Sequence, residues 1–358
     1  MIKDDQVDEP IRKFVREQDD IIIDKYSAGG ANGELYFGTR KVLNDRVALK
    51  FYYYNSDISS HQEPLLLKEI ENDNILKIYD AKILDNQYAY FLTPEISGGD
   101  LQKYIDTNII STKQALHITQ GILKGLSELH KNDFVHRDLK PNNVLIDNSN
   151  LNVYIADFGS IKKITSNLSV VASKNTFIYK PYEAIIDGKY YKQSDIYQVG
   201  IILFQLLNGF FPLAAAEWLN ERQRKKLDKI NGQFEQWKYI EEIINQRIIK
   251  GKLLDLKSLP VFIDSGLKRI ITTATKTDLN KRFASCAEFL KAIYDYLKRA
   301  VDWWSEDDII YAKKKSLLYR IYKARKGYVL ETSRDKINWR KDNKHNGTLK
   351  SIIDKINK

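Results

Sequence analysis

The sequence predicts an α+β protein divided into two lobes, a small β-rich one first and a larger helical one after it. Three observations point there. The first hundred residues carry strand-like runs rich in β-branched and aromatic residues, from Ile21, at 34–40, around 47–50 and at 88–92, joined by Gly- and Asn-bearing turns. From Ser111 onward apolar residues fall at helical spacing: Leu116, Ile122, Leu123, Leu126 and Leu129. A length of 358 residues also exceeds what one hydrophobic core usually organises.

Composition narrows the class. Hydrophobic residues at 43% and charged residues at 29% describe a soluble, ordered chain. The net charge of +10 is uneven: residues 309–358 hold 15 Lys or Arg against Glu331, Asp335, Asp342 and Asp354, so the other 308 residues are near neutral. One cysteine, Cys286, excludes an internal disulfide and suits a reducing, cytoplasmic setting. Residues 1–20 are polar, expected to be peripheral, and too charged for a signal peptide. The one apolar stretch of membrane length, 199–216, is interrupted by Gln205, Asn208, Gly209 and Pro212, so a buried central helix is expected and no membrane partner.

In chain order, the Gly-rich turn 28–33 joins the first two strands, where glycines let backbone N–H groups approach an anion. Lys50 sits in the third strand. A helix over about 60–72 carries Glu63, Glu69 and Glu71 as candidate partners for it. A polar connection, Thr93-Pro94-Glu95-Ile96-Ser97-Gly98-Gly99-Asp100, leads into the helical half. Ser111 with Gln114 makes a capping box for a helix to Lys131.

That helix delivers the chain to His136-Arg137-Asp138-Leu139-Lys140-Pro141-Asn142-Asn143. Here a carboxylate is followed by a cation two residues on and a carboxamide five residues on. Phosphoryl transfer asks for that set: an oxygen to orient a hydroxyl, a positive charge by the moving phosphate, and a metal ligand. Fourteen residues after Asn143 comes Asp157-Phe158-Gly159. The pair of motifs resembles the catalytic loop and metal-binding loop of Hanks-type Ser/Thr protein kinases, and Lys140-Pro141 resembles the Ser/Thr branch. Val47-Ala48-Leu49-Lys50 is similar to the family's Val-Ala-Ile-Lys strand. The turn 28–33 matches its glycine-rich loop in part, with Ala28 at the first glycine and Leu35 at the valine. Residues 175–183 resemble the end of the activation segment, with Asn175 for the glycine and Tyr182 for the proline.

The resemblance covers about 21–299 and implies a protein kinase fold, with a small lobe over 21–93 and a large lobe over 97–299. It implies ATP and Mg²⁺ as cofactors and a protein substrate. Asp138 is then the base, Lys140 the charge-balancing cation, and Asn143 and Asp157 the metal ligands. Lys50, paired with Glu63, holds the α- and β-phosphates beneath Gly30 and Gly33. Leu35 and Ala48 cover adenine and Leu145 lies under it. Backbone groups of Glu95 and Ile96 reach its edge, Thr93 guards a back pocket, and Asp100 sits near the ribose. Leu67, Ile78, His136 and Phe158 form a stack linking the lobes. Thr176 bonds near Asp138 and Lys140, Glu183 pairs with Arg282, and Asp195 accepts from the catalytic-loop backbone. Arg137 is the clamp for a phosphate on Thr165, Ser166, Ser169 or Ser173.

Two parts lie outside the pattern. Residues 214–259 form a longer, charged helical stretch containing Trp237, read as a solvated face or a docking insert. After a helix opened by Ser285 and Glu288, residues 300–358 form a basic extension resembling no family, expected as two strands (316–326 and 328–341) and a helix (348–356). There Tyr322, Tyr328 and Trp339 lie among Lys323, Arg325, Lys326, Arg340 and Lys341, which suits nucleic acid or a phosphorylated partner. Two rival functions stay open, a small-molecule phosphotransferase and a catalytically silent binding module.

Overall fold

The computed structural model describes residues 7–27, 33–53, 62–164, 169–171, 177–325, 327–342 and 347–358. The small lobe is an antiparallel five-stranded sheet. Its spatial order is Ile21–Ser27, Glu34–Arg40, Arg46–Tyr53, Tyr88–Pro94 and Asp80–Ile83. Strand alternation divides the third strand's side chains. Val47, Leu49 and Phe51 are buried on one face, while Ala48 and Lys50 point to the other, toward the large lobe. Helix Gln62–Glu69 packs on that second face through Leu66, beside Phe91. It is shorter than the 60–72 expected, and residues 60 and 61 lie outside the described residues.

The first twenty residues differ from their expectation. Glu9–Glu17 is a helix with Pro10 in its first turn, and Ile11 is 1% exposed. Val7, Ile11, Phe14 and Val15 pack on Val47, Leu49 and Phe51, closing the face of the sheet turned away from the large lobe. Phe14 meets Phe51 edge-on at 5.7 Å. The segment is polar on average yet amphipathic, and burial of Ile11 alone is worth about 1.5–3 kcal/mol.

The large lobe is built around two helices. Thr112–Lys131 begins at the expected Ser111–Gln114 capping box. Lys192–Leu206 is buried from Ser194 to Leu206 on every side. It ends at Leu206, with Leu207 as its cap before Asn208 at φ 60°, and no helix of the described residues is long and apolar enough to cross a membrane. Helices Ser265–Ala274 and Cys286–Leu297 complete the core. The stretch 214–259 folds as helices Glu221–Leu227 and Gln233–Ile249. The second is not simply a solvated face. Its Trp237 meets Phe177 edge-on at 5.4 Å and its Glu241 accepts from Lys180 at 2.7 Å.

The extension holds more strands than expected. Asp302–Glu306, Ile309–Lys314, Leu317–Ala324, Gly327–Ser333 and Arg340–Lys341 form an antiparallel meander, followed by helix Leu349–Asn357. The acidic cluster 306–308 is its first turn, with Asp307 and Asp308 at positive φ. The meander's inner face joins the large-lobe core through Trp303, Ala312, Ile321, Leu330, Ile352 and Ile353. Trp303 stacks on Phe262 at 5.8 Å, and Asp302 accepts from the Lys113 N–H at 2.9 Å. The extension is therefore continuous with the lobe. Its aromatics divide: Tyr328 packs against the core, whereas Trp339, just before the last strand, packs under Arg320 at 4.4 Å.

Candidate active site

Lys50 projects from its strand between the lobes. Its ammonium donates to both Glu63 oxygens, at 3.1 and 2.9 Å, and lies 3.6 Å from Asp157. Burial pulls the Lys50 pKa down, but the carboxylates of Glu63 and Asp157 outweigh it and leave it raised. Glu69 and Glu71 fall elsewhere on the helix and its exit. Glu63 also accepts from the Phe158 N–H at 3.3 Å, tying the helix to the Asp157 loop. Asp157 takes a left-handed backbone, φ 57° and ψ 73°, before the short turn Phe158–Ser160. For a non-glycine residue that costs about 1–2 kcal/mol.

The catalytic-loop candidates converge. Lys140 donates to Asp138 at 2.8 Å, and the Asn143 amide donates to the Asp138 carbonyl at 2.7 Å and carboxylate at 3.1 Å. With its NH₂ so engaged, Asn143 offers its carbonyl oxygen as a ligand. Asp138 itself is buried. Of the expected stack, His136 lies 5.4 Å from the Phe158 ring, tilted by 55°, and Ile78 packs against the same core; the Leu67 side chain lies outside the described residues.

Asp195 anchors this loop from below. It is fully buried and accepts from the N–H groups of His136 and Arg137, each at 3.0 Å. Tyr190 and His130 also donate to it, both at 2.8 Å. Burial alone would raise the Asp195 carboxyl; the His130 bond, the two imidazoles and the Arg137 N–H together hold it below its usual value. Glu183 and Arg282 form the expected buried pair at 2.9 and 3.1 Å.

The nucleotide-side residues are only partly arranged as the resemblance implies. Leu35 lies opposite Lys50 and Ala48 opposite Thr93 in the sheet, and Leu145 bridges to Asp100. Gly33, at φ 103°, is demanded by packing: a β-carbon there would stand 1.9 Å from the Phe51 carbonyl. Gly30 and Thr176 lie outside the described residues. The Glu95 N–H is spent on the Arg46 carbonyl at 3.1 Å, so an adenine edge would draw its donor from another peptide. The Asp100 carboxylate caps helix Leu101–Thr107 through the Lys103 N–H at 2.9 Å. Arg137 differs too: it donates to the Ser160 carbonyl at 2.5 Å and the Val171 carbonyl at 2.7 Å. Of the candidate phosphoacceptors, only Ser169 is among the described residues.

Sequence reasoning missed Tyr190, His130 and Gln198, which hold the loop through Asp195 or its backbone. Nothing in their spacing signals it, since each reaches the loop from a different element.

A family model described as protein kinase domain matches residues 28–295. Serine/threonine-protein kinase PrkC of Bacillus subtilis is 34% identical over 196 residues, which is 51% of this chain and 30% of that protein. Serine/threonine-protein kinase TIO of Arabidopsis thaliana is 30% identical over 187 residues, covering 50% of this chain and 14% of that protein. Probable serine/threonine-protein kinase PknB of Lactococcus lactis is 30% identical over 276 residues, covering 73% and 42%. The chain spans less than half the length of each of these relatives.

Proposed function

The chain belongs to the protein kinase family, and on that footing we propose that it transfers the γ-phosphoryl group of ATP, with Mg²⁺, to Ser or Thr hydroxyls of protein substrates, itself included. The observation that carries this is the joint geometry of two clusters: Asp138 bonded to Lys140 and Asn143, and Lys50 held between Glu63 and Asp157. Asp138 orients the acceptor hydroxyl and takes its proton. Lys140, already 2.8 Å from that carboxylate, balances charge on the phosphoryl group in flight. Lys50, kept charged by its two carboxylates, holds the α- and β-phosphates. The oxygens of Asn143 and Asp157 fit a hard cation that takes one or two protein ligands and fills its remaining sites with phosphate and water. When bound, Mg²⁺ neutralises charge on the phosphate oxygens.

The two rivals fit less well. A silent binding module has no need to keep the strained Asp157 backbone beside Lys50 and Glu63, and a small-molecule phosphotransferase has no need of the Glu183–Arg282 pair at the end of an activation segment. The free, buried thiol of Cys286 suits the cytoplasm. A nucleic-acid partner for the outer face of the meander is a second, separate proposal, resting on Trp304, Tyr311, Trp339 and Arg320 in one row amid basic residues. The test of the main reading is Lys50→Met and Asp157→Ala. Each is expected to abolish labelling of casein from γ-labelled ATP while melting stays cooperative. Wild-type turnover in either purified variant refutes the assignment.

A further inference from the structure

We infer that Gln198 is a positioning residue for phosphoryl transfer, fixing the backbone on both sides of Asp138 and tying it to the turn that precedes Glu183. The inference rests on the reading of Asp138 as the base. Helix Lys192–Leu206 runs beneath the catalytic loop, and Asp195 and Gln198, three residues apart, share the face turned to it. Asp195 takes the N–H groups of His136 and Arg137. Gln198 continues the grip past the carboxylate: its Oε1 accepts from the Leu139 N–H at 2.8 Å, and its Nε2 donates to the Arg137 carbonyl at 3.5 Å.

The same amide reaches two further segments. Nε2 donates to the Tyr179 carbonyl at 3.3 Å, in the turn Phe177–Tyr179. Oε1 also lies 2.8 Å from the Tyr190 hydroxyl, whose single proton it shares with the Asp195 carboxylate, likewise at 2.8 Å. A carboxamide has two N–H donors and two acceptor lone pairs; Gln198 uses both donors and one lone pair outright, and shares the Tyr190 proton with the other. It is 2% exposed, on a helix otherwise packed mostly by apolar side chains. A hydrocarbon would fill that space as well. What the amide adds is a fixed spacing between the peptides flanking Asp138 and the turn leading to Pro181 and Glu183, the segment that in this reading faces the acceptor. A shift of about 1 Å at a reacting group can cost on the order of a hundredfold in rate.

The test compares Gln198→Met, Gln198→Glu and Asp138→Asn with wild type. Gln198→Met removes the bonds to Leu139, Arg137 and Tyr179 and the shared Tyr190 proton at similar volume. It is expected to melt cooperatively and bind a fluorescent ATP analogue with wild-type affinity. Its kcat on casein is expected to fall tenfold or more, and its Leu139 amide to lose protection from hydrogen exchange. Gln198→Glu keeps the acceptor for Leu139 and Tyr190 but loses both donors, and is expected to lie between. A Gln198→Met kcat less than tenfold below wild type overturns the inference, as does a matching loss of nucleotide affinity. Should Gln198→Met fail to fold, Gln198→Glu decides it: reduced kcat with unchanged nucleotide affinity supports the role, and wild-type kcat overturns it. Asp138→Asn keeps the two readings apart. Full turnover there removes the base itself, whereas an inactive Asp138→Asn beside a fully active Gln198→Met removes only the role of Gln198.

Discussion

Replacing Arg282 by leucine is expected to destabilise the large lobe by about 3–5 kcal/mol, because it strands a buried carboxylate. The structure gives the terms. Glu183 is 2% exposed and Arg282 4%, so water cannot replace the lost partner. The guanidinium makes two bonds to Glu183, two to the Lys276 carbonyl, at 2.9 and 2.7 Å, and one to the Gln193 carbonyl at 2.7 Å. After the substitution Glu183 keeps its bond from the Ser194 hydroxyl but loses the ion pair it makes among the described residues. At about 2 °C per kcal/mol for a unit of this size, the melting temperature is expected to fall roughly 6–10 °C. The assay is a urea titration read by large-lobe tryptophan fluorescence, with a parallel thermal melt. The second arm adds Glu183→Leu to Arg282→Leu, which removes the stranded charge. Breaking a buried pair costs far more than replacing it whole, so the double variant is expected to be more stable than Arg282→Leu by at least about 1 kcal/mol. A loss under about 1 kcal/mol in Arg282→Leu, or a double variant less stable than the single one, refutes the reasoning.

Other outcomes follow from the same geometry. Asp195 has a depressed pKa in the fold, so its contribution is complete above the unfolded value of about 3.9 and is lost as pH falls through the folded pKa. The stability gap between wild type and Asp195→Asn is therefore expected to narrow from pH 6 toward pH 3 in urea titrations, and a constant gap contradicts it. Autophosphorylation is expected at one or more of Thr165, Ser166, Ser169 and Ser173, with Arg137 leaving the Val171 carbonyl to bind the phosphate. Mass spectrometry of active enzyme finding all four unmodified excludes this. Truncation after Asp308 is expected to lower the melting temperature sharply, since Ile321, Leu330, Ile352 and Ile353 belong to the lobe's core. The nucleic-acid proposal is instead tested by Arg340→Glu with Lys341→Glu, both exposed. Affinity for single-stranded RNA is expected to drop, and the log–log salt slope to shrink by about 0.7 per phosphate contact. No binding by the intact protein at low salt refutes it.

The sequence alone determined the chemistry that is local. Asp138, Lys140 and Asn143 lie within six residues, so a short turn brings them together whatever surrounds it. Asp157 follows after one hairpin, Val144–Ile146 with Val153–Ile155. The Glu183–Arg282 pair, 99 residues apart, was also legible, because the motif around Glu183 implied a buried carboxylate and such a group requires a cation. Tertiary structure decided what depended on which side of an element faces what. Helix Lys192–Leu206 is buried all round, so no periodicity marks Gln198 as the residue that meets the catalytic loop. Helix Glu9–Glu17 has a polar composition, and only its docking on Phe51 and Leu49 makes Ile11 core. In the meander, Tyr328 and Trp339 read alike in sequence. Strand register pairs Tyr328 with Lys323 and turns it toward the core, whereas Trp339 precedes the last strand and packs against Arg320 and Tyr311, contacts set by how the meander folds.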